Sequence, residues 1–209
     1  MSSVIPYITK EVSFEFRGRR YEFALSHGLF SSAGIDRGSR FLLRVFSGLL
    51  DGGLFPAPGK LRQGGTLSVL DAGCGCGVLG ICAGTALRDL AGKGAAGERC
   101  SGPGPGLASV LVPASASVPA LAVRAQDRDE LARLFTEYNG LRNGLAGAEL
   151  EARTEALLAA PAGAAWDLIL SNVPAKAGRP VLEDFIGRSA GMLKSGGLAL
   201  VVVVNPLAP

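Results

Sequence analysis

Val69-Leu70-Asp71-Ala72-Gly73-Cys74-Gly75-Cys76-Gly77-Val78-Leu79-Gly80 is the stretch from which the rest of this 209-residue sequence can be read. Leu67-Ser68-Val69-Leu70 is a short apolar run that closes on an acid, and Leu79, Ala83, Leu87 and Leu90 recur at helical spacing. The stretch therefore reads as strand, glycine turn and helix start. Such a turn lets the backbone approach a ligand without a Cβ in the way and points free amides of the helix start at it. A nucleotide-like ligand is expected there.

Spacing alone leaves two ligands open, because Gly75, Gly77 and Gly80 also satisfy the dinucleotide fingerprint G-x-G-x-x-G. Asp71, two residues before the first glycine, separates them, since an acid so placed repels a pyrophosphate. The order acid, x, Gly, x, Gly, x, Gly resembles motif I of the class I S-adenosylmethionine-dependent methyltransferases. The resemblance implies a Rossmann-like α/β fold. It assigns S-adenosylmethionine (product S-adenosylhomocysteine) to Asp71, Ala72, Gly73, Cys74, Gly75 and Gly77, with the Asp71 carboxylate near the amino acid end of the cofactor.

The length suits one α/β domain, 1–209, with a sizeable core. With 48% hydrophobic and 19% charged residues the chain is expected to fold, and no apolar run approaches the roughly 20 residues of a membrane span. Met1-Ser2-Ser3-Val4-Ile5-Pro6 lacks the basic start and apolar stretch of a secretory signal, so the expected location is the cytoplasm. A net charge of +3 permits nucleic acid as a partner without marking a basic binding module. Three of the four cysteines, Cys74, Cys76 and Cys82, cluster at the turn, far from Cys100 and the single His27. They are expected to be buried fillers, with no metal.

Upstream, Val12, Phe14 and Phe16 alternate, Arg17-Gly18-Arg19-Arg20 follows, and Tyr21 and Phe23 resume the alternation: an N-terminal β-hairpin with a basic turn. It could cap the core, or its arginines could steer a phosphate backbone. A polar turn then feeds a helix whose apolar face is read as Phe41, Leu42, Val45, Phe46, Leu49 and Leu50.

The turn itself, Phe30-Ser31, Asp36, Gly38-Ser39 and Leu42-Leu43, resembles the lead-in segment of the "methyltransferase small" family, which includes small-subunit ribosomal RNA guanine-N2 methyltransferases. In that family the segment closes over the cofactor and borders the base, which puts Phe30, Ser31, Asp36 and Ser39 on the substrate side. Taken alone, Asp36 or Ser39 is a helix N-cap. Residues 1–36 are thus hairpin and lead-in.

Residues 91–119, rich in Gly, Ala, Ser and Pro, are expected to be a flexible insertion. Ala120 to Asp127 is the next strand, again closing on an acid that can accept ribose hydroxyls. Asp127-Arg128-Asp129 matches the family's acid-x-acid, and Asn139-Gly140 its Asn-Gly after the helix. Glu149 to Thr154 is a third strand, and Thr154 falls where the family contacts adenine, though the family has Asp nearby.

Trp166-Asp167-Leu168-Ile169-Leu170-Ser171-Asn172-Val173-Pro174-Ala175 is the fourth strand, running into the site. The family shows Asn-Pro-Pro-aromatic here. Its Asn accepts the hydrogens of the amine being methylated, which gives Asn172 and Pro174 the catalytic positions, with Asn172 also bordering the cofactor. Val173 stands in place of the first proline and Ala175 in place of the stacking aromatic.

Pro180 opens a helix with Leu182, Phe185, Ile186 and Leu193 on one face, ended by Lys194-Ser195-Gly196-Gly197. Leu198 to Val204 is a fully apolar fifth strand, suited to burial on both faces.

The expected architecture is a mainly parallel sheet with helices on both faces. The C-terminal antiparallel hairpin of class I methyltransferases is not seen in this sequence, so the fifth strand is expected at an edge that the N-terminal hairpin could cover, that a longer chain could complete, or where a homodimer could form. The function implied is S-adenosylmethionine-dependent methylation of a nucleobase exocyclic amine in RNA, guanine N2 of rRNA by resemblance. A protein amide or small molecule as acceptor, and a catalytically silent cofactor- or RNA-binding module, stay open beside it.

Overall fold

The computed structural model describes residues 4–29, 34–55, 65–96, 121–156, 158–159, 165–174 and 178–204, with main chain only for 91–96, 174 and 204. Phe30, Ser31, Cys100, Ala175 and most of the expected insertion lie outside these residues.

Five strands form one sheet: β3 (Leu67–Ala72), β4 (Leu121–Asp127), β5 (Leu150–Thr154), β6 (Trp166–Pro174) and β7 (Leu193–Val204). Their order is β5-β4-β3-β6-β7 and every pairing is parallel. Parallel strands are buried on both faces, and the alternation along β3 shows how. Leu67 and Val69 join one hydrophobic cluster, Leu70 and Ala72 the other. The first cluster is covered by α1 (Arg37–Asp51), α2 (Val78–Ala96) and α3 (Glu130–Arg142), the second by Phe185 of α4 (Arg179–Gly191). Successive strands run outward from β3 on one side, then resume beside it at β6. Sheets with such a reversal take ligands there, outside the carboxyl ends of β3, β4 and β6.

The hairpin pairs β1 (Lys10–Phe16) with β2 (Arg19–Leu25) through Arg17-Gly18, both at positive φ, the backbone of a tight two-residue turn. It is joined to the core by side chains of α3 and of its C-cap residue. Asn139 accepts from Ala24 N (2.8 Å) and donates to Ala24 O (3.0 Å), and Asn143 does the same for Glu22 (3.0 Å each). Two asparagines one helical turn apart thus stand in for a missing strand along the edge of β2. The hairpin arginines are all engaged: Arg17 with Asp51, Arg19 with the Asn143 carbonyl and Asp89, Arg20 with Glu22.

Several expectations are corrected. On α1 the buried face is Leu42, Leu43 and Phe46, while Phe41 is 56% and Val45 38% exposed. α2 runs on to Ala96, six residues into the stretch read as an insertion, because Gly and Ala at the end of an established helix still complete its hydrogen bonds. Lys194 to Gly197 belongs to β7 and not to a helix end, and Leu193 with it. Lys194 bonds to the buried Asp167 of β6 at 2.6 Å, and the run forms an irregular stretch of β7 between the Trp166–Leu193 and Leu168–Leu198 pairs. Ile186 is 60% exposed. β7 is an edge strand among the described residues, so Leu198 to Val202 are only partly buried and Val203 is 41% exposed.

Candidate functional site

The turn from β3 to α2 is held by β4: Gly73 N and Cys74 N both donate to the Gln126 carbonyl (2.8 and 3.1 Å), and Gly77 N donates to Cys74 O (2.8 Å). Two of its glycines are needed for different reasons. Gly75 has φ +55°, and a Cβ there would meet nothing within 4 Å, so the backbone lies open on that side. Gly77 has φ +83°, and a Cβ would lie 2.9 Å from Ile81 Cδ1 and 3.0 Å from Thr136 Cγ2. At Gly77 the positive φ and the neighbouring Ile81 and Thr136 side chains both disfavour a Cβ.

Asp71 lies inside the fold, beneath this turn. It is fully buried, its Oδ2 accepts from Gly80 N at 2.7 Å, and Oδ1 has no hydrogen-bond partner. Burial raises its pKa from 3.8 to about 7, against the lowering effect of the Gly80 amide and with a further upward push from Asp127. Its neighbour Ala72 is also buried, and the Ala72 carbonyl accepts from Ser171 Oγ at 2.7 Å, a bond that joins the ends of β3 and β6.

Asp127, at the end of β4, reaches the turn directly: Oδ2 accepts from Gly75 N (3.1 Å) and Oδ1 from Asp129 N (3.1 Å). Asp129 caps α3 through Leu131 N (2.9 Å), so the acid-x-acid pair divides its work between turn and helix. Arg128 between them is exposed. Thr154 pairs with Asp127 in register across β4 and β5, but its hydroxyl is bound to Glu130, whose carboxyl is held low, at about 2, by Arg133 and Thr154.

On the other side of β3, Asn172 near the end of β6 donates from Nδ2 to Asp36 Oδ1 (2.7 Å) and to Ser39 Oγ (3.3 Å). Asp36 is the N-cap of α1, accepting from Ser39 N at 2.8 Å. Asp36, Ser39 and Asn172 are thus brought together from segments 133 to 136 residues apart. Pro174 closes β6, paired with Val204.

Cys74, Cys76 and Cys82 are free and buried; burial pushes Cys76 up to about 12 and the other two upward as well, so all three stay as neutral thiols. Among the described residues no group of three His, Cys, Asp or Glu could hold a metal, and no helix is long and apolar enough to cross a membrane.

Sequence reasoning noted Asn139 without giving it a task. Besides holding the hairpin, it donates to the Cys76 carbonyl at 2.9 Å, so one buried amide ties β2 to the glycine turn. The available signal was a polar pair, Asn139 and Asn143, at i and i+4 on an otherwise buried helix face. Ser171 was likewise legible only as a strand residue.

No protein-family profile and no curated protein matches this sequence. Solved structures do match its fold. The 16S rRNA N2 G1207 methyltransferase (RsmC) of T. thermophilus, in complex with AdoMet and guanosine, is 22% identical at a TM-score of 0.63, over 96% of this chain and 43% of that one. A SAM-dependent methyltransferase from Agrobacterium tumefaciens is 15% identical at 0.57, over 96% of this chain and 55% of that one. Ribosomal protein L11 methylase from Lactobacillus delbrueckii subsp. bulgaricus is 20% identical at 0.50, over 86% of this chain and 65% of that one. This chain spans less than two thirds of each. What it shares with all three is the Rossmann-like methyltransferase fold.

Proposed function

We propose that this chain binds S-adenosylmethionine at the β3–α2 turn and transfers its methyl group to an exocyclic amine of a nucleobase in RNA, guanine N2 by resemblance. The observation that carries the reading is the convergence of three groups at the carboxyl ends of adjacent parallel strands. These are the open glycine turn after β3, the Asp127 carboxylate of β4 that touches it, and the Asn172 amide of β6.

The residues present fit the cofactor. The Gly75 backbone is open where a Cβ would meet nothing, and Asp127 keeps lone pairs for ribose hydroxyls beyond the two amides it accepts. Asp71 leaves one buried oxygen unpartnered beneath the turn. When bound, S-adenosylmethionine supplies an electrophilic methyl on a sulfonium centre.

Asn172 supplies the acceptor for the amine. An amine conjugated to a base is a poor nucleophile; a carbonyl that accepts its hydrogens turns the nitrogen lone pair toward the methyl and stabilises the positive charge that develops as the new C–N bond forms. The proton then leaves to water. Arg37, Arg44 and Arg128, which have no carboxylate or carbonyl partner among the described residues, favour a polyanionic acceptor. Arg37 and Arg128 adjoin Asp36 and Asp127 on the two sides of the crevice. The T. thermophilus structure with AdoMet and guanosine supports the same reading.

The test is calorimetric titration with S-adenosylmethionine and S-adenosylhomocysteine, with NAD as the control, followed by transfer of labelled methyl into total RNA and ribosomal subunits. Dissociation constants near 1 μM, about −8 kcal/mol, with transfer to RNA, uphold the proposal. Binding with transfer only to protein moves the acceptor to an amide. No binding by the folded chain refutes the reading.

A further inference from the structure

The side-chain amide of Asn172 has two ends of equal size and opposite chemistry, and only one of them serves an incoming amine. A carbonyl facing the crevice accepts hydrogens from the amine; an NH2 group facing it repels them. Strand β6 fixes the backbone but leaves the amide free to turn over, so something else must select the end that is presented.

Asp36 does so. We propose that Asp36 is a positioning residue for Asn172, and that the pair selects amines whose neighbouring ring nitrogen also carries hydrogen; this rests on the methyltransferase reading above. An ionised carboxylate only accepts, so the end of Asn172 at 2.7 Å from Asp36 Oδ1 is the NH2. Its other contact, Ser39 Oγ at 3.3 Å, accepts the second hydrogen. Both Nδ2 hydrogens are used, and the Oδ1 of Asn172 has no partner among the described residues. Asp36 is in turn held by Ser39 N at 2.8 Å as the cap of α1, a helix that packs Leu42, Leu43 and Phe46 into the core. The orientation of Asn172 is therefore anchored to the body of the protein.

The second oxygen, Asp36 Oδ2, also has no partner among the described residues. Asp36 Oδ2 and Asn172 Oδ1 together present two acceptors and no donor. An H–N–C–NH2 edge, as on guanine, meets them with two donors. In an N=C–NH2 edge, as on adenine or cytosine, a ring lone pair faces a carboxylate, an arrangement that rejects the wrong base more strongly than a missing contact would.

The test uses two variants of the full chain. Asp36→Ser keeps a side-chain cap for α1 but is too short to reach Asn172, and Asp36→Asn keeps a carbonyl at the original reach. The acceptors are oligouridylates carrying a single guanosine, adenosine or cytidine, with labelled S-adenosylmethionine. Asp36→Ser is expected to lower kcat on the guanosine oligomer by roughly 10- to 100-fold, with S-adenosylmethionine affinity and Tm retained, and Asp36→Asn to recover most of that turnover. In nitrogen–proton NMR spectra, one Asn172 side-chain proton is expected downfield in wild type and to return in Asp36→Ser. An unchanged kcat in Asp36→Ser, equal turnover of all three oligomers by wild type, or identical Asn172 signals in the two proteins overturns the proposal. If wild type methylates neither the oligomers nor ribosomal subunits, the methyltransferase reading is what fails, and the NMR comparison alone decides whether Asp36 orients Asn172.

Discussion

Replacing Asp71 by Asn is expected to remove a pH-dependent loss of stability built into the glycine turn. Asp71 is fully buried with one oxygen on Gly80 N and the other unpartnered, and burial lifts its pKa from 3.8 to about 7. Between those values the folded chain keeps a proton that the unfolded chain has lost, so stability falls as pH rises across this window. The cost is absent below the lower value and complete above the upper one. A gap of about 3 pH units corresponds to roughly 4 kcal/mol, of which roughly 2.5 kcal/mol accrues between about pH 5 and pH 8.5. Asn keeps a carbonyl for Gly80 N and cannot ionise. Urea unfolding of both proteins across that range gives the difference directly, with the groups that do not interact with Asp71 cancelling. The stability of Asp71→Asn relative to wild type should climb by roughly 2.5 kcal/mol toward alkaline pH. A relative stability flat to within about 0.5 kcal/mol would refute the account of Asp71 as a buried, half-satisfied carboxyl.

Other substitutions test the surrounding frame. Gly77→Ala puts a Cβ 2.9 Å from Ile81 Cδ1 at φ +83°, and should cost about 1–3 kcal/mol in urea unfolding while weakening S-adenosylmethionine binding. Asn139→Ala strands Ala24 N, Ala24 O and Cys76 O. It should cost about 2–4 kcal/mol and speed hydrogen exchange at Ala24, and unchanged exchange there would show that the hairpin is held by packing alone. Asp127→Ala, which removes the acceptor for Gly75 N, should weaken S-adenosylmethionine binding at least tenfold, about 1.4 kcal/mol, and an affinity within twofold of wild type would remove Asp127 from ribose recognition.

Much of the fold was legible because it is local. Alternation in β1 and β2, an apolar run closing on an acid at Asp71 and again at Asp127, and the glycines between β3 and α2 each constrain only their own neighbours. Local signals failed where a choice between neighbours depends on what lies opposite. Phe41 and Val45 are as apolar as Leu42 and Phe46, and only the docking angle of α1 on the sheet leaves the first pair in solvent. Lys194-Ser195-Gly196-Gly197 has the composition of a helix end, yet lies within β7 as an irregular stretch between two pairs with β6, where Lys194 meets Asp167.

The same division runs through the candidate site. By itself the sequence determined the glycine turn and the position of the two strand-end acids, since residue type and spacing over a dozen positions suffice for strand, turn and helix start. Only the tertiary structure decided what each acid faces. It set Asp71 under the turn on Gly80 N and Asp127 beside Gly75 N, and it brought Asp36 to Asn172 across 136 residues of chain. A hydrogen bond depends on a few tenths of an ångström between groups that share no local segment, and packing of α1, α2 and α3 on one face of the sheet sets those distances.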